Sequence, residues 1–307
     1  MEALEHLKLA LRIAGLAVES PALPASAYAR IQGLRLHYLD WGTTGMPPIL
    51  FLHGGGLSAH TWDLLCAVLR SEYHCIAPDQ RGHGDSDWSA EMDYTFETQQ
   101  HDVEALVEHL GLERFFLVGM SMGGMNALLY AAQHSQRVLG LALVDVGPEV
   151  QVAGGQRIVD FMRQTAEAES IDALIARALE FNPARDPRLL RRSLLHTFRP
   201  DGRGRWVRKN DTRHLATANF AERVAQLKSY WPLVALISCP TLVVRGARSD
   251  VFSDEDAETL ARRLPNGRWL RVENAGHTVQ GDNPRGLIEA LRPFFAEAAG
   301  QRARARY

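Results

Sequence analysis

Phe115 to Asn126 reads FFLVGMSMGGMN, an apolar run that passes without a break into Gly119-Met120-Ser121-Met122-Gly123. A short, wholly apolar run of this kind suits a strand buried on both faces of a parallel sheet. The segment from Asn126 to His134 has helical patterning. A Gly-x-Ser-x-Gly placed between strand and helix is a sharp turn that presents a serine hydroxyl at the sheet edge. Glycines at 119 and 123 remove side chains that would collide in such a turn, and Gly124 lets the helix approach the sheet. The helix N-terminus under Ser121 favours developing negative charge. Five-residue matches of this type also occur by chance in turns, but the strand before and the helix after make chance a poor explanation here.

Working outward, the apolar runs at Pro48–Leu52, Tyr73–Ala77, Val138–Val144 and Thr241–Val244 repeat the strand pattern. Helical patterns over Thr61–Leu69, Phe96–Leu110 and Asn126–His134 alternate with them. Ile31 to Trp41 alternates apolar and polar residues like a half-exposed strand pair. The expected class is therefore α/β, a mostly parallel sheet with helices on both faces. From Gly147 to Trp231 the alternation stops, and helical patterns at Arg157–Thr165, Ile171–Leu179 and Thr212–Leu227 take over. This stretch holds 15 Lys and Arg against 10 Asp and Glu, while the rest of the chain holds 19 against 26. The expected organisation is an N-terminal helix and linker over 1–29, a core over 30–146 and 232–299, a basic helical cap over 147–231 inserted after the sixth strand, and a solvated tail over 300–307.

Residues 1–18 place Leu4, Leu7, Leu11 and Ala14 on one helical face, interrupted by Lys8 and Arg12. The run is too short and too charged for a membrane span or a signal peptide. A packing or homodimer element is the first reading, and attachment to a membrane surface the second. Net charge is −2 over 307 residues, which gives no global pull toward nucleic acid. Three cysteines, Cys66, Cys75 and Cys239, form neither a disulfide framework nor a zinc motif, so a reducing, cytoplasmic setting is expected.

A serine hydroxyl needs a base to take its proton, and the base needs an acid to orient it. Where a strand–turn–helix carries the serine, the partners follow in the order acid, then histidine. Asp250 ends the loop Arg245-Gly246-Ala247-Arg248-Ser249-Asp250 after the strand TLVV, at the strand end where open α/β sheets place their sites. His277 follows the strand Trp269–Val272 in the loop Asn274-Ala275-Gly276-His277. The expected catalytic set is Ser121, Asp250 and His277. Asp145, which ends the strand LGLALVD, is the alternative acid.

The tetrahedral oxyanion needs backbone donors. The Met122 amide supplies one, and Gly55 in His53-Gly54-Gly55-Gly56 is the preferred second. That loop lacks the Lys-Ser/Thr of a phosphate loop and the spacing of a dinucleotide fingerprint. Substrate-pocket residues are expected at His53, Gly54, Gly56, Leu57 and Trp62. Asp79 to Ser86, DQRGHGDS, is read as a structural brace; a metal held by His83 with Asp79 and Asp85 lacks further ligands, so no metal and no cofactor is expected.

With HGGG, DQRGHGDS, GMSMGG, RGARSD and AGH all in place, residues 30 to 299 resemble the α/β-hydrolase superfamily, in particular its capped esterases, enol-lactonases and C–C bond hydrolases. Relatives that open epoxides or displace halides carry Asp where this chain has Ser121, so the resemblance implies acyl chemistry. C–C hydrolases often carry Asn where Gly119 stands. The expected activity is a carboxylesterase acting on a small, largely apolar ester or lactone. A C–C hydrolase, an acyltransferase using the same residues and a non-catalytic ligand-binding protein follow in that order. The arginines of residues 150–230 suit either an acidic substrate tail or an ordinary solvated surface.

Overall fold

The computed structural model describes residues 2–216 and 220–304. Eight strands form one sheet: β1 (Ala25–Ile31), β2 (Leu34–Asp40), β3 (Pro48–Leu52), β4 (His74–Pro78), β5 (Phe115–Met120), β6 (Val138–Val144), and the later β10 (Thr241–Gly246) and β11 (Gly267–Val272). Their order is β1-β2-β4-β3-β5-β6-β10-β11. β1, β2 and β4 pair antiparallel, and every pairing from β4 to β11 is parallel. The sheet begins at Ala25, inside the stretch expected to be linker.

The apolar runs explain the layers. All six residues of β5 are buried. Phe115 and Leu117 face one side, with α3 (Phe96–His109) and α4 (Met122–His134). Phe116, Val118 and Met120 face the other, with the N-terminal α1 (Glu2–Ile13), α2 (Asp63–Leu69) and α12 (Pro284–Arg304), which follows α10 (Asp254–Arg263) and α11 (Val279–Asp282) in the chain. Each such side chain contributes about 1.5–3 kcal/mol by burial, so the central strands anchor both layers. Leu7 and Leu11 of α1 are part of that second layer, and α1 packs on α2 and α7 (Pro187–Thr197). The amphipathic face expected to serve packing or dimerisation is thus used within the chain. Among the described residues, no helix is long and apolar enough to cross a membrane.

Between β6 and β10 the described residues form five α-helices: α5 (Val152–Gln164), α6 (Ile171–Phe181), α7, α8 (Phe220–Lys228) and α9 (Trp231–Val234). They also form a three-stranded antiparallel sheet of β7 (Glu167–Ala168), β8 (Phe198–Pro200) and β9 (Trp206–Arg208), in the order β7-β9-β8. No strand was expected here, because strands of two or three residues are too short to show a period in sequence. Of the helix expected over Thr212–Leu227, Arg213–Ala216 is a 3-10 turn, Phe220 onward is α8, and residues 217–219 lie outside the described residues. In the expected tail, α12 continues to Arg304, and 305–307 lie outside the described residues.

Candidate active site

Ser121 sits between β5 and α4 with φ 52° and ψ −120°, a left-handed conformation that a side chain tolerates only when its surroundings enforce it. The enforcement is visible. The Ser121 amide donates to the Val144 carbonyl at 3.1 Å, and its own carbonyl accepts from the Met125 amide at 3.0 Å. A Cβ on Gly119 would stand 2.3 Å from the Gly123 carbonyl oxygen, and one on Gly123 would stand 2.5 Å from those of Leu52 and His53. β3, β5 and α4 therefore meet backbone to backbone, as the glycine spacing requires.

His277 lies in the loop after β11. Its Nε2 is 3.1 Å from Ser121 Oγ, and its Nδ1 is 2.7 Å from Asp145 Oδ2. An Nδ1–H donated to the carboxylate leaves the Nε2 lone pair facing the hydroxyl. The loop is held in turn: the Gly276 amide donates to Asp282 Oδ2 at 2.9 Å. Asp145 is fully buried at the end of β6, with φ 56°. Besides His277 it accepts the Gly246 amide at 2.8 Å and the Ser249 hydroxyl at 2.5 Å. Three donors, two from the end of β10 and its loop and one from the loop after β11, hold this carboxylate in place.

Asp250 is not part of this chain of contacts. Its carboxylate is 43% exposed and pairs with Arg157 of α5 at 2.9 Å. The loop after β10 turns so that Ser249 points at Asp145 and the next side chain points toward the inserted helices. The carboxylate that reaches His277 is therefore that of Asp145, the alternative, and not the Asp250 expected from the sequence. β6 lies beside β5 in the sheet, so the residue that ends it is already at the serine.

A cavity of about 950 Å³ opens over Ser121, lined on the core side by Gly54 to Leu57, Met120 to Met122 and His277. The insertion supplies Phe161, Met162, Phe181, Phe198 and Leu215. Among the described residues, neither the Gly55 nor the Met122 amide has an acceptor. Gly54 backs the serine: a Cβ there would lie 3.2 Å from Ser121 Cβ.

Two residues expected in the pocket are elsewhere. Trp62 is fully buried against Phe51, with ring centres 5.2 Å apart, because the short 3-10 turn Ala59–Trp62 aims it into the core. His53 points into the protein as well; its Nδ1 donates to the Gly54 carbonyl at 2.8 Å, and its Nε2 accepts the Gln80 amide at 3.0 Å.

His83 does line the cavity. Its Nε2 accepts the Gly56 amide at 3.1 Å and its Nδ1 donates to the Arg81 carbonyl at 3.0 Å. Burial, then the neighbouring His53, pushes its pKa down to about 3, so it is a neutral brace for the glycine loop. The rest of DQRGHGDS is a brace too. Asp79 accepts from His37 Nδ1 at 2.7 Å, the Ala59 amide at 2.6 Å and the Asp85 amide at 2.9 Å, and Arg81 pairs with Asp102.

Two groups of side chains have ligand spacing for a metal: His60, Asp63 and His196, and His37, Asp79 and Asp85. In the first, Asp63 Oδ2 already accepts from His60 and from the Arg192 guanidinium; in the second, Asp79 is saturated as described. Neither group lines the cavity.

A serine hydroxyl facing an imidazole that is held by a buried carboxylate, at the end of a parallel strand, decides the comparison with known proteins. Residues 47–284 match the α/β hydrolase fold family. The chain belongs to that family. It is 34% identical over 276 residues to the esterase Rv0045c of Mycobacterium tuberculosis, covering 88% of this chain and 89% of that protein. A crystal structure of that esterase superposes with a TM-score of 0.73 at 32% identity, covering 94% of this chain and 95% of the other. An α/β hydrolase from Novosphingobium aromaticivorans superposes with a TM-score of 0.77 at 30% identity, over 90% of this chain and 99% of that one. The chain is an esterase-like α/β hydrolase.

Sequence reasoning missed Ser249, His83 and Arg208 as cavity or site residues. Ser249 stands beside the expected acid, and only the turn of the loop shows which of the two side chains faces inward. His83 lies within a motif read as a brace, and its neutral ring is set by burial that sequence does not record.

Proposed function

We propose that this α/β hydrolase is a carboxylesterase that works through an acyl-enzyme on Ser121. The observation that carries the reading is His277, placed between the Ser121 hydroxyl at 3.1 Å and the Asp145 carboxylate at 2.7 Å. His277 Nε2 takes the Ser121 proton as Oγ attacks the ester carbonyl. The Gly55 and Met122 amides receive the oxyanion, each such donor contributing roughly 3 kcal/mol to the transition state. The tetrahedral intermediate collapses, the C–O bond to the alcohol breaks, and His277 returns its proton to the departing oxygen. Water then repeats the sequence in the second half-reaction, with His277 as base, and releases the acid. Asp145 stabilises the imidazolium in both steps.

Residues 147–231 act in this reading as a cap that encloses an apolar acyl or alcohol group, which the aromatic lining of the cavity supports. Three buried free thiols, Cys66, Cys75 and Cys239, fit a reducing, cytoplasmic setting. The similarity to a protein named an esterase supports the ester over other acyl bonds.

Steady-state assays on aryl and alkyl esters of graded acyl length, lactones and vinylogous diketones test the proposal. Esters are turned over, diketones are left intact, and added alcohols do not divert the acyl group from water. Turnover confined to the diketones, or acyl transfer that outruns hydrolysis, would replace the esterase reading with one of its rivals.

A further inference from the structure

Arg208 ends β9 in the small inserted sheet, and its side chain reaches the cavity over Ser121. It is 7% exposed. Nε donates to the Thr165 carbonyl at 3.1 Å and Nη2 to Thr165 Oγ1 at 2.6 Å, while the guanidinium stands 4.8 Å over the Phe198 ring. Nη1 has no acceptor among the described residues, and it lies 3.5 Å from where a Cβ of Gly56 would stand. That places the free end of the guanidinium beside the glycine loop proposed to hold the oxyanion.

No carboxylate pairs with this cation among the described residues, and the residues outside them, Met1, Thr217 to Asn219 and Ala305 to Tyr307, include no Asp or Glu. The contrast with its peers is sharp. The other two buried arginines each face an acid, Arg81 with Asp102 and Arg245 with Asp254 at 3.1 Å. Of the other guanidiniums lining the cavity, Arg157 pairs with Asp250 at 2.9 Å and Arg185 with Asp282 at 3.3 Å, while the less buried Arg223 stacks on Phe96 at 3.9 Å and the exposed Arg248 donates to the Asn274 carbonyl at 2.5 Å. Burial alone lowers the Arg208 pKa to about 10, so the group stays charged at neutral pH. A buried, unpaired charge is costly, and a binding site that keeps one rewards the ligand that neutralises it and rejects the isostere that does not.

We infer that Arg208 is a specificity-determining residue, and that the preferred substrates are esters bearing a carboxylate a few bonds from the scissile carbonyl. The inference rests on the esterase reading and adds the charge of the substrate to it. With Nε and Nη2 committed to Thr165, the carboxylate is received by the two N–H groups of Nη1, a charge-assisted contact. The apolar lining of the cavity, Phe161 and Phe198 above all, then takes the methylene chain between carboxylate and ester.

The test compares 4-nitrophenyl half-esters of succinate, glutarate and adipate with the same compounds methylated at the free carboxyl. For the native enzyme, kcat/KM of the best half-ester exceeds that of its methylated partner by at least tenfold, chiefly through KM. In Arg208→Gln that ratio falls to about one. A native ratio near one overturns the inference, as does an Arg208→Gln variant in which both substrates lose the same factor and the ratio persists, the mark of a purely structural arginine. If Arg208→Gln does not fold, the native enzyme still decides: glutarate or adipate inhibits competitively where the corresponding diamide does not, and equal inhibition by the two refutes the site. Hydrolysis of the methylated esters without any preference leaves the esterase reading standing and removes only Arg208 from it; no hydrolysis of either series removes the esterase reading itself.

Discussion

Asp145→Asn lowers kcat/KM for ester hydrolysis by on the order of 10⁴-fold, while Asp250→Asn leaves it within a few-fold. The first figure is the scale on which serine hydrolases lose activity when the triad carboxylate becomes an amide of the same shape. Here the reason is local. Asp145 Oδ2 is 2.7 Å from His277 Nδ1, and the residue is fully buried, so no water replaces the lost charge. An amide at 145 can present its NH₂ to Nδ1, which fixes the tautomer with the proton on Nε2, and that ring cannot accept from Ser121. It also leaves the imidazolium of both half-reactions without its counter-charge. Asp250, by contrast, forms a surface pair with Arg157, the two side chains 43% and 59% exposed, and such pairs contribute little. Steady-state kinetics on the best neutral ester, with circular dichroism to show that both variants fold, separates the two acids. A larger loss at 250 than at 145 restores the acid expected from the sequence.

Gly119→Ala prevents accumulation of folded protein or lowers its Tm by many degrees, whereas Gly55→Ala melts close to the native protein. At 119 the new methyl group would stand 2.3 Å from the Gly123 carbonyl oxygen and 2.6 Å from Gly124 Cα. Both are backbone atoms of the α4 N-terminus, so no side chain can swing away. Relief requires prising the helix off β5, whose residues are all buried. Overpacking that flexible side chains can relieve costs about 1–3 kcal/mol, and a clash against fixed backbone exceeds it. That is a large share of the about 5–15 kcal/mol that holds a domain together. At Gly55 a Cβ meets nothing within 4 Å and φ lies outside the left-handed region, so alanine fits. Thermal unfolding of the two variants measures the difference, and equal melting points would show that the glycine at 119 is not required by close approach.

The core was legible because its signals are long. PILFL, FFLVGM, VLGLALV and TLVV are wholly apolar runs, and they became β3, β5, β6 and most of β10. Ser121 and His277 were legible because backbone constraint fixes them: glycines at the turn, and a loop at the next sheet edge. Asp145 and Asp250 both end strand-to-loop junctions and both stand between Ser121 and His277 in the chain, so order alone does not separate them. The difference lies in two hydrogen bonds, from the Gly246 amide and the Ser249 hydroxyl to Asp145, that no spacing records. Trp62 and His53 were misplaced for a similar reason, since the direction of a side chain in a tight turn depends on a torsion rather than on sequence position. The inserted arginines read in sequence as a basic surface. In the structure nine of these thirteen arginines pair with an acid, such as Arg188 with Asp186 and Arg191 with Asp172, and only the tertiary arrangement shows Arg208 buried at the cavity without one.

The central claim, that Ser121 forms a covalent acyl-enzyme, is tested most directly by stoichiometric labelling with a fluorophosphonate, followed by intact mass and tryptic mapping. One adduct per chain is expected, on the peptide Phe115–Arg137, with loss of ester hydrolysis in proportion to labelling and no adduct in Ser121→Ala. An adduct on another peptide, or full ester hydrolysis by the Ser121→Ala protein, would contradict it.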